Sequence, residues 1–257
     1  MLKGMSTLTP ADLEVWRGYG RYDQAIGALM EPLERKAIQE IRKFHELHPD
    51  CITNVSWGKD SVVVAHLTWM ADPAIPIIWV PAVREDGTCY ETEPSFQVRD
   101  AFLRAHPGCV YAERPGLPRN PRRGEPGWED YMRHVKERHQ DMLGEQIHDP
   151  HITGVRADES AMRRMSIRSR GLSSTKTCRP IGRWSAEQVF AYLAARDLPV
   201  HGAYAASYGG HLDRRWLRVH AIRSAISTSA THYHDIAQWE DDYFPTLCDY
   251  QPREESV

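Results

Sequence analysis

The chain has 257 residues, 41% of them hydrophobic and 26% charged, with a formal net charge of −3. That length supports one large α/β domain with a full core, or one domain with an appended segment. The near-neutral balance excludes a general attraction to polyanions, and no apolar run approaches the ~20 residues that a bilayer span needs.

The amino terminus, MLKGMSTLTPADLEVW, lacks the apolar stretch of a secretory signal. Cys51, Cys89, Cys109, Cys178 and Cys248 are odd in number, and no two are closer than 20 residues. This excludes a CxxC redox pair and a compact zinc or iron–sulfur motif, leaving reduced, mostly buried thiols and a cytoplasmic setting as the expectation.

Thr9-Pro10-Ala11-Asp12 predicts a capped, proline-led helix through Trp16. Leu33, Ala37, Ile41 and Phe44 recur at helical spacing and predict an amphipathic helix over Pro32 to His48. Cys51 to Val55 reads as a short buried strand that runs into Ser56-Trp57-Gly58-Lys59-Asp60-Ser61 and then an apolar helix from Val62 to Met70. A strand at Ile75 to Val80 follows, then a helix carrying Phe96, Val98, Phe102 and Leu103, then a strand near Cys109 to Ala112. Alternating strands and helices predict an α/β fold, a mainly parallel sheet with helices on both faces and extra helical segments at the two ends.

Arg114 to Gly127, rich in Pro, Gly and Arg, predicts an irregular excursion, either a lid or a disordered loop. Tyr131 to Ile147 reads as a helix and His151 to Gly154 as a strand entering a turn. Ser185 to Gln188 is a capping box opening a helix over Val189 to Arg196, and Trp216 to Ile226 reads as a further helix. The expected divisions are a helical segment over 1–48, an α/β nucleotide-binding domain over 49–204 and a helical extension over 205–257.

Between His151 and Arg183 stand Arg156, Arg163, Arg164, Arg168, Arg170, Lys176, Arg179 and Arg183, against only Asp158 and Glu159. Such a run is commonly a solvated helix face. The predominance of arginine among Gly, Ser and Thr instead suits forked recognition of phosphate or sulfate. His232-Tyr233-His234-Asp235 is a poor lone chelate and reads as a surface segment.

A strand that ends in a glycine-containing turn and feeds a helix makes a site for negative charge, because backbone amides and the helix dipole converge there. Gly58 allows close approach of the phosphates, Lys59 supplies a cation, and Ser56 and Ser61 supply hydroxyl donors. Asp60 is placed to cap the helix or to orient a magnesium-bound water. This is not the GxxxxGK[ST] loop, since the first glycine is missing and Asp60 separates Lys59 from Ser61.

The six-residue arrangement resembles the pyrophosphate-binding loop of the PP-loop ATP pyrophosphatases. That family commonly has a second glycine where Trp57 stands, although the small catalytic subunit of bacterial ATP sulfurylase carries a bulky residue there. Tyr90-Glu91-Thr92, Gly154-Val155-Arg156-Ala157-Asp158-Glu159-Ser160 with Arg163, and Arg179-Pro180-Ile181 with Trp184 are similar to segments of the PAPS reductase and ATP sulfurylase small-subunit group. The resemblance implies ATP and Mg2+ as cofactors, with Lys59, Asp60 and Arg156 in the reaction and Asp60 near the metal. It implies that the edge of the second strand, around Trp79 and Val80, holds adenine by backbone hydrogen bonds, that Gly154 belongs to the nucleotide site, and that Arg156 and Arg163 face the α phosphate or the group attached to it. Glu159 is expected to hold Arg163 from the position four residues before it.

The carboxyl-terminal Phe244 to Tyr250 lacks the Glu-Cys-Gly-x-His of the reductases, which favours ATP cleavage to AMP or an adenylate and pyrophosphate. Sulfonucleotide reduction, a sulfate adenylyltransferase subunit and a non-catalytic nucleotide sensor are the alternatives. The acceptor is expected to be a nucleic acid or a sulfur carrier, with no membrane partner, and a homo-oligomer is compatible with this reading. Cys178, between Lys176 and Arg179, reads either as a thiol of lowered pKa that takes part in the chemistry or as an unremarkable loop cysteine.

Overall fold

The computed structural model describes residues 2–116, 144, 146–147, 149–217, 219, 239, 242–244 and 248–253. The chain opens with a two-residue strand, β1 (Leu2–Lys3), and helix α1 (Pro10–Gly27). Thr9 caps α1: its hydroxyl accepts from Asp12 N, and the Asp12 carboxylate accepts from Thr9 N. The proline-led start matches the sequence expectation, but the helix runs well past Trp16. Helix α2 (Glu31–Leu47) turns Ala37, Ile38, Ile41 and Phe44 inward.

Strand β2 (Ile52–Val55), helix α3 (Lys59–Ala71) and strand β3 (Ile77–Trp79) form the first crossover unit. Strand β4 (Thr88–Cys89), helix α4 (Glu93–Ala105) and strand β5 (Tyr111–Glu113) follow. Strand β6 (His151–Ile152), a single 3-10 turn at Ala157–Glu159, helix α5 (Ala161–Arg170) and strand β7 (Thr177–Cys178) come next. Helix α6 (Ala186–Ala195) opens on the Ser185–Gln188 capping box, and the described elements end with strand β8 (Val200–His201), a 3-10 turn at Gly202–Ala205 and strand β9 (Cys248–Asp249).

Five strands pair in the order β5-β3-β2-β6-β7, and every pair is parallel. Ile77, Ile78 and Trp79 are all buried, the continuous apolar pattern of a strand covered on both faces. The order reverses direction at β2: β3 and β5 lie to one side, β6 and β7 to the other. Right-handed crossovers therefore place α3 and α4 on the same face of the sheet. The order switches between the carboxyl ends of β2 and β6, the place where open parallel sheets of this kind take their ligands.

The amino-terminal segment is tied to this core. β1 pairs in parallel with β8, Leu2 opposite Val200. A Cβ on Gly27 would stand 2.7 Å from Ala195 Cβ, so α1 crosses α6 in close contact. Arg214 forks onto Asp23 at 2.6 and 2.5 Å, both side chains buried, beneath the rings of Tyr19 and Phe190. The short strands β1, β4, β7, β8 and β9 escaped the sequence pattern, since two residues carry no periodicity. Arg114 and Gly116 extend the sheet edge, donating to Trp79 O and Pro81 O. The rest of the expected excursion and the segment His232–Asp235 lie outside the described residues, as do most of the helices expected over 131–147 and 216–226. Among the described residues no helix is long and apolar enough to cross a membrane.

Candidate functional site

β2 delivers Ser56 to Ser61 to the switch point. Trp57 has φ 55, in the left-handed region that favours glycine. Its indole is buried in the core, with ring centroids 5.6 Å from Phe102, 5.8 Å from Tyr111 and 6.4 Å from Trp79. The aromatic packing offsets the backbone strain, and only the Trp57 backbone is left to meet a ligand. This narrows the sequence expectation for Trp57, because the ring faces away from the loop's open side.

Helix α3 begins at Gly58 with no side-chain cap. The amide of Lys59 donates to the Tyr204 hydroxyl at 3.0 Å, and the Lys59 ammonium lies 5.2 Å from the centroid of the same ring. A Cβ on Gly58 would stand 3.1 Å from the Tyr204 hydroxyl oxygen, so glycine here keeps the loop closed against Tyr204. Ser61 Oγ donates to Gly58 O at 3.0 Å and accepts from Ser56 N at 3.2 Å. The Ser61 hydroxyl thus braces the loop, which leaves Ser56 as the hydroxyl nearer the expected role.

Lys59 is 2% exposed, and its Nζ lies 2.9 Å from Asp60 Oδ2. Arg156, 1% exposed, donates from Nε to Asp60 Oδ1 at 2.5 Å and from Nη1 to Trp184 O at 3.2 Å. Burial would raise the Asp60 carboxyl, yet the two cations beside it hold it below the usual carboxylate range. The resemblance set Arg156 against the α phosphate. The structure places it behind Asp60, joined also to Asp158 at 3.4 Å, where it positions the loop.

The same observation tests a protein-held magnesium. Each Asp60 oxygen already faces a cation, and among the described residues no group of three or more His, Cys, Asp or Glu gathers in metal-binding geometry. The donor set does not fit a resident cation at Asp60.

Gly154 makes the site possible by close approach. A Cβ there would stand 2.9 Å from the Asp60 carbonyl carbon and 3.0 Å from its oxygen, both backbone atoms. Glu159 accepts from Arg156 N at 2.8 Å and pairs with Arg163, the bracing role expected of it. Arg163 is half-exposed.

β3 is internal to the sheet, not an edge, and Trp79 O accepts from Arg114 N at 2.8 Å. The Trp79 carbonyl is therefore taken, and Val80 is the first residue beyond the ladder. The Glu-Thr element has a bracing role: Glu91, 3% exposed, accepts from Ala82 N at 3.4 Å, and Thr92 Oγ1 lies 2.8 Å from His201 Nε2. Burial pushes the Glu91 carboxyl up to about 8.

Cys178 corrects the sequence reading. Its side chain is fully buried in the core, and burial pushes the thiol up to about 12 despite Arg179 next in sequence. Strand alternation turns Cys178 inward and its two neighbours outward. It is not an activated thiol. Cys248 is half-buried, donates to Glu91 O at 2.9 Å and is raised to about 11 by burial and by Glu93 and Glu91.

Tyr204, Asp158 and the Trp184 carbonyl are site residues that sequence reasoning missed. Tyr204 lies 145 positions from the amide it receives, and no local signal marks it. Trp184 stands in a recognisable segment, but it is the backbone carbonyl, not the indole, that meets Arg156.

Comparison with curated proteins finds no match. The crystal structure of phosphoadenylyl-sulfate (PAPS) reductase from Candida auris, in a phosphate complex, aligns with a TM-score of 0.44 and 14% identity, over 66% of this chain and 87% of that chain. The phosphoadenosine phosphosulfate reductase domain matches residues 50–210, more than half of the sequence and the whole of the β2–β8 unit. The chain belongs to the phosphoadenosine phosphosulfate reductase domain family, within the PP-loop superfamily.

Proposed function

We propose that the chain binds ATP at the switch point between β2 and β6 and breaks the α–β phosphate link, leaving AMP or an adenylated acceptor and releasing pyrophosphate. The observation that carries this reading is Lys59. It is a buried ammonium at the first position of an uncapped helix, held between Asp60 and the Tyr204 ring.

An uncapped helix start with a lysine beside it suits the β and γ phosphates. Lys59 Nζ would exchange part of its contact with Asp60 for phosphate oxygens, and Arg156 would keep Asp60 in place as it does so. Half-exposed Arg163 suits the α phosphate, and the backbone at Val80 suits adenine. An acceptor atom attacks the α phosphorus, and the bridging oxygen leaves with pyrophosphate. Magnesium enters as part of the MgATP substrate, on the phosphates, and the chain supplies positioning and charge.

A second reading, sulfonucleotide reduction, has one observation in its favour. β9 brings Cys248 back against β4, with its thiol on Glu91 O. The two readings separate in parallel assays. Pyrophosphate release from ATP is expected. Sulfite release from PAPS or from adenosine phosphosulfate, lost in Cys248→Ser, would replace it with the reductase. ATP binding without either product would leave a nucleotide sensor.

A further inference from the structure

From Ala161 to Ala186 the sequence carries seven cations and no carboxylate, in a chain of net charge −3. Helix α5 lies at the head of this stretch and buries only Ile167 of its ten residues. Arg164, Arg168 and Arg170 are exposed, and Met162 and Met165 are 80% and 68% exposed. A helix that serves a core turns about three residues in seven inward. α5 instead gives its outer faces to guanidinium groups and thioethers.

The charges are crowded. Arg179 lies against the helix, its Nη1 3.4 Å from Ser166 Oγ, and burial together with nearby Arg170 and Arg163 holds its pKa down. Arg164, Arg168 and Arg170 form no ion pair with the described residues. Like charges gathered without counterions oppose folding, so the fold alone does not account for them.

We propose that helix α5 binds a single-stranded nucleic acid, with neighbouring phosphates on Arg164 and Arg168, which share one side of the helix, and presents an acceptor atom of that strand to the switch point between β2 and β6. Arg164 and Arg168 are four residues apart, about 6 Å along the helix axis, close to the spacing of neighbouring phosphates on an extended strand. Six of the seven cations are arginine, whose planar fork grips phosphate and stacks on bases. The face is continuous with the site. α5 starts at Ser160, directly after the turn that holds Glu159, and its own Arg163 pairs with Glu159. A base within a duplex does not reach a buried phosphorus, whereas an unpaired one does. The role as acceptor rests on the adenylation proposed above; binding itself does not.

The test uses the full chain without ATP. Fluorescence anisotropy follows a short fluorescein-labelled DNA strand of mixed sequence, its RNA counterpart and the DNA duplex across a potassium chloride series. Either single strand is expected to bind more tightly than the duplex, and the stronger of the two identifies the polymer. Arg164→Gln/Arg168→Gln should weaken binding about ten-fold or more and flatten the log K against log salt slope by about 1.4, since each phosphate that a cation neutralises adds about 0.7 to that slope. Pyrophosphate release from ATP alone should be unchanged in this variant. If the double variant fails to fold, Arg168→Glu alone serves, with a smaller loss in the same direction. Failure of both strands to bind at low salt, equal binding by the variants, preference for the duplex, or displacement by polyglutamate as effective as by unlabelled strand would each overturn the proposal. The last result would point to an acidic protein. Absence of pyrophosphate release with strand binding intact would sink the adenylation reading and leave the binding face standing.

Discussion

Arg156 Nε donates to Asp60 Oδ1 at 2.5 Å across 96 residues of sequence. The pair ties the loop after β2 to the loop after β6, and through Trp184 O to the entry of α6. Lys59 holds the other Asp60 oxygen. The loop after β2 is therefore set by a triad of two buried cations on one carboxylate, and its geometry depends on a residue outside the loop.

Arg156→Gln should lower stability by about 3–5 kcal/mol, the usual cost of removing one partner from a buried pair. Arg156→Lys keeps the charge but loses the fork, and should fall between the two. Urea midpoints measure the loss and ATP titration the accompanying fall in affinity. A midpoint unchanged in Arg156→Gln would remove the triad from the loop's support.

Gly154→Ala puts a methyl group 2.9 Å from the Asp60 backbone, where no side-chain movement relieves it. The two loops must separate. Nucleotide affinity should drop at least ten-fold, about 1.4 kcal/mol or more, with a smaller effect on the urea midpoint. Calorimetric titration with ATP checks this, and wild-type affinity would show that the loops need not touch.

The thiols should react in an order set by burial. Cys248 is half-buried and raised to about 11, whereas Cys178 is fully enclosed and raised to about 12. A maleimide on the native protein should label Cys248 well before Cys178, as read by peptide mass spectrometry. Early labelling of Cys178 would restore it as a candidate for the chemistry.

Stability should peak near pH 6.5. Burial lowers His66 to about 4 and His201 to about 3, so the unfolded chain takes up more protons as pH falls below the ordinary histidine value. Each histidine then removes up to about 1.4 kcal/mol per pH unit on acidification. Glu91, raised to about 8, acts with the opposite sign: its native form holds a proton that the unfolded chain releases, so stability falls as pH rises toward 8. Urea unfolding across pH 5 to 8 reads both limbs, a range chosen to span roughly these shifts. Glu91→Gln should abolish the decline above pH 6.5 and steepen the acid limb, which Glu91 opposes down to its unfolded value, and an unchanged alkaline limb would show that Glu91 is ionised in the native state.

The strand–loop–helix junction was legible because a buried parallel strand reads as an apolar run, and Cys51 to Val55 stops sharply at a glycine-containing polar turn. Thr9 and Ser185 announced their helices by local caps. What stayed hidden was made by distance. Tyr204 meets the Lys59 amide only after β8 and its following turn pack against α3, and the Trp184 carbonyl is a backbone group with no sequence signature. Cys178 misled because its sequence neighbours are cations. The alternation of even a two-residue strand was the overlooked signal, since it turns Cys178 inward and Arg179 away.

The most direct measurement of the proposed reaction follows ATP labelled in its α phosphate. Label should appear in AMP or in an adenylated acceptor, with unlabelled pyrophosphate released in equal amount. Lys59→Ala should lose the product, since a charge-assisted phosphate contact contributes roughly 1.5–3 kcal/mol. Label recovered as ADP, with inorganic phosphate as the second product, would contradict cleavage at the α–β link.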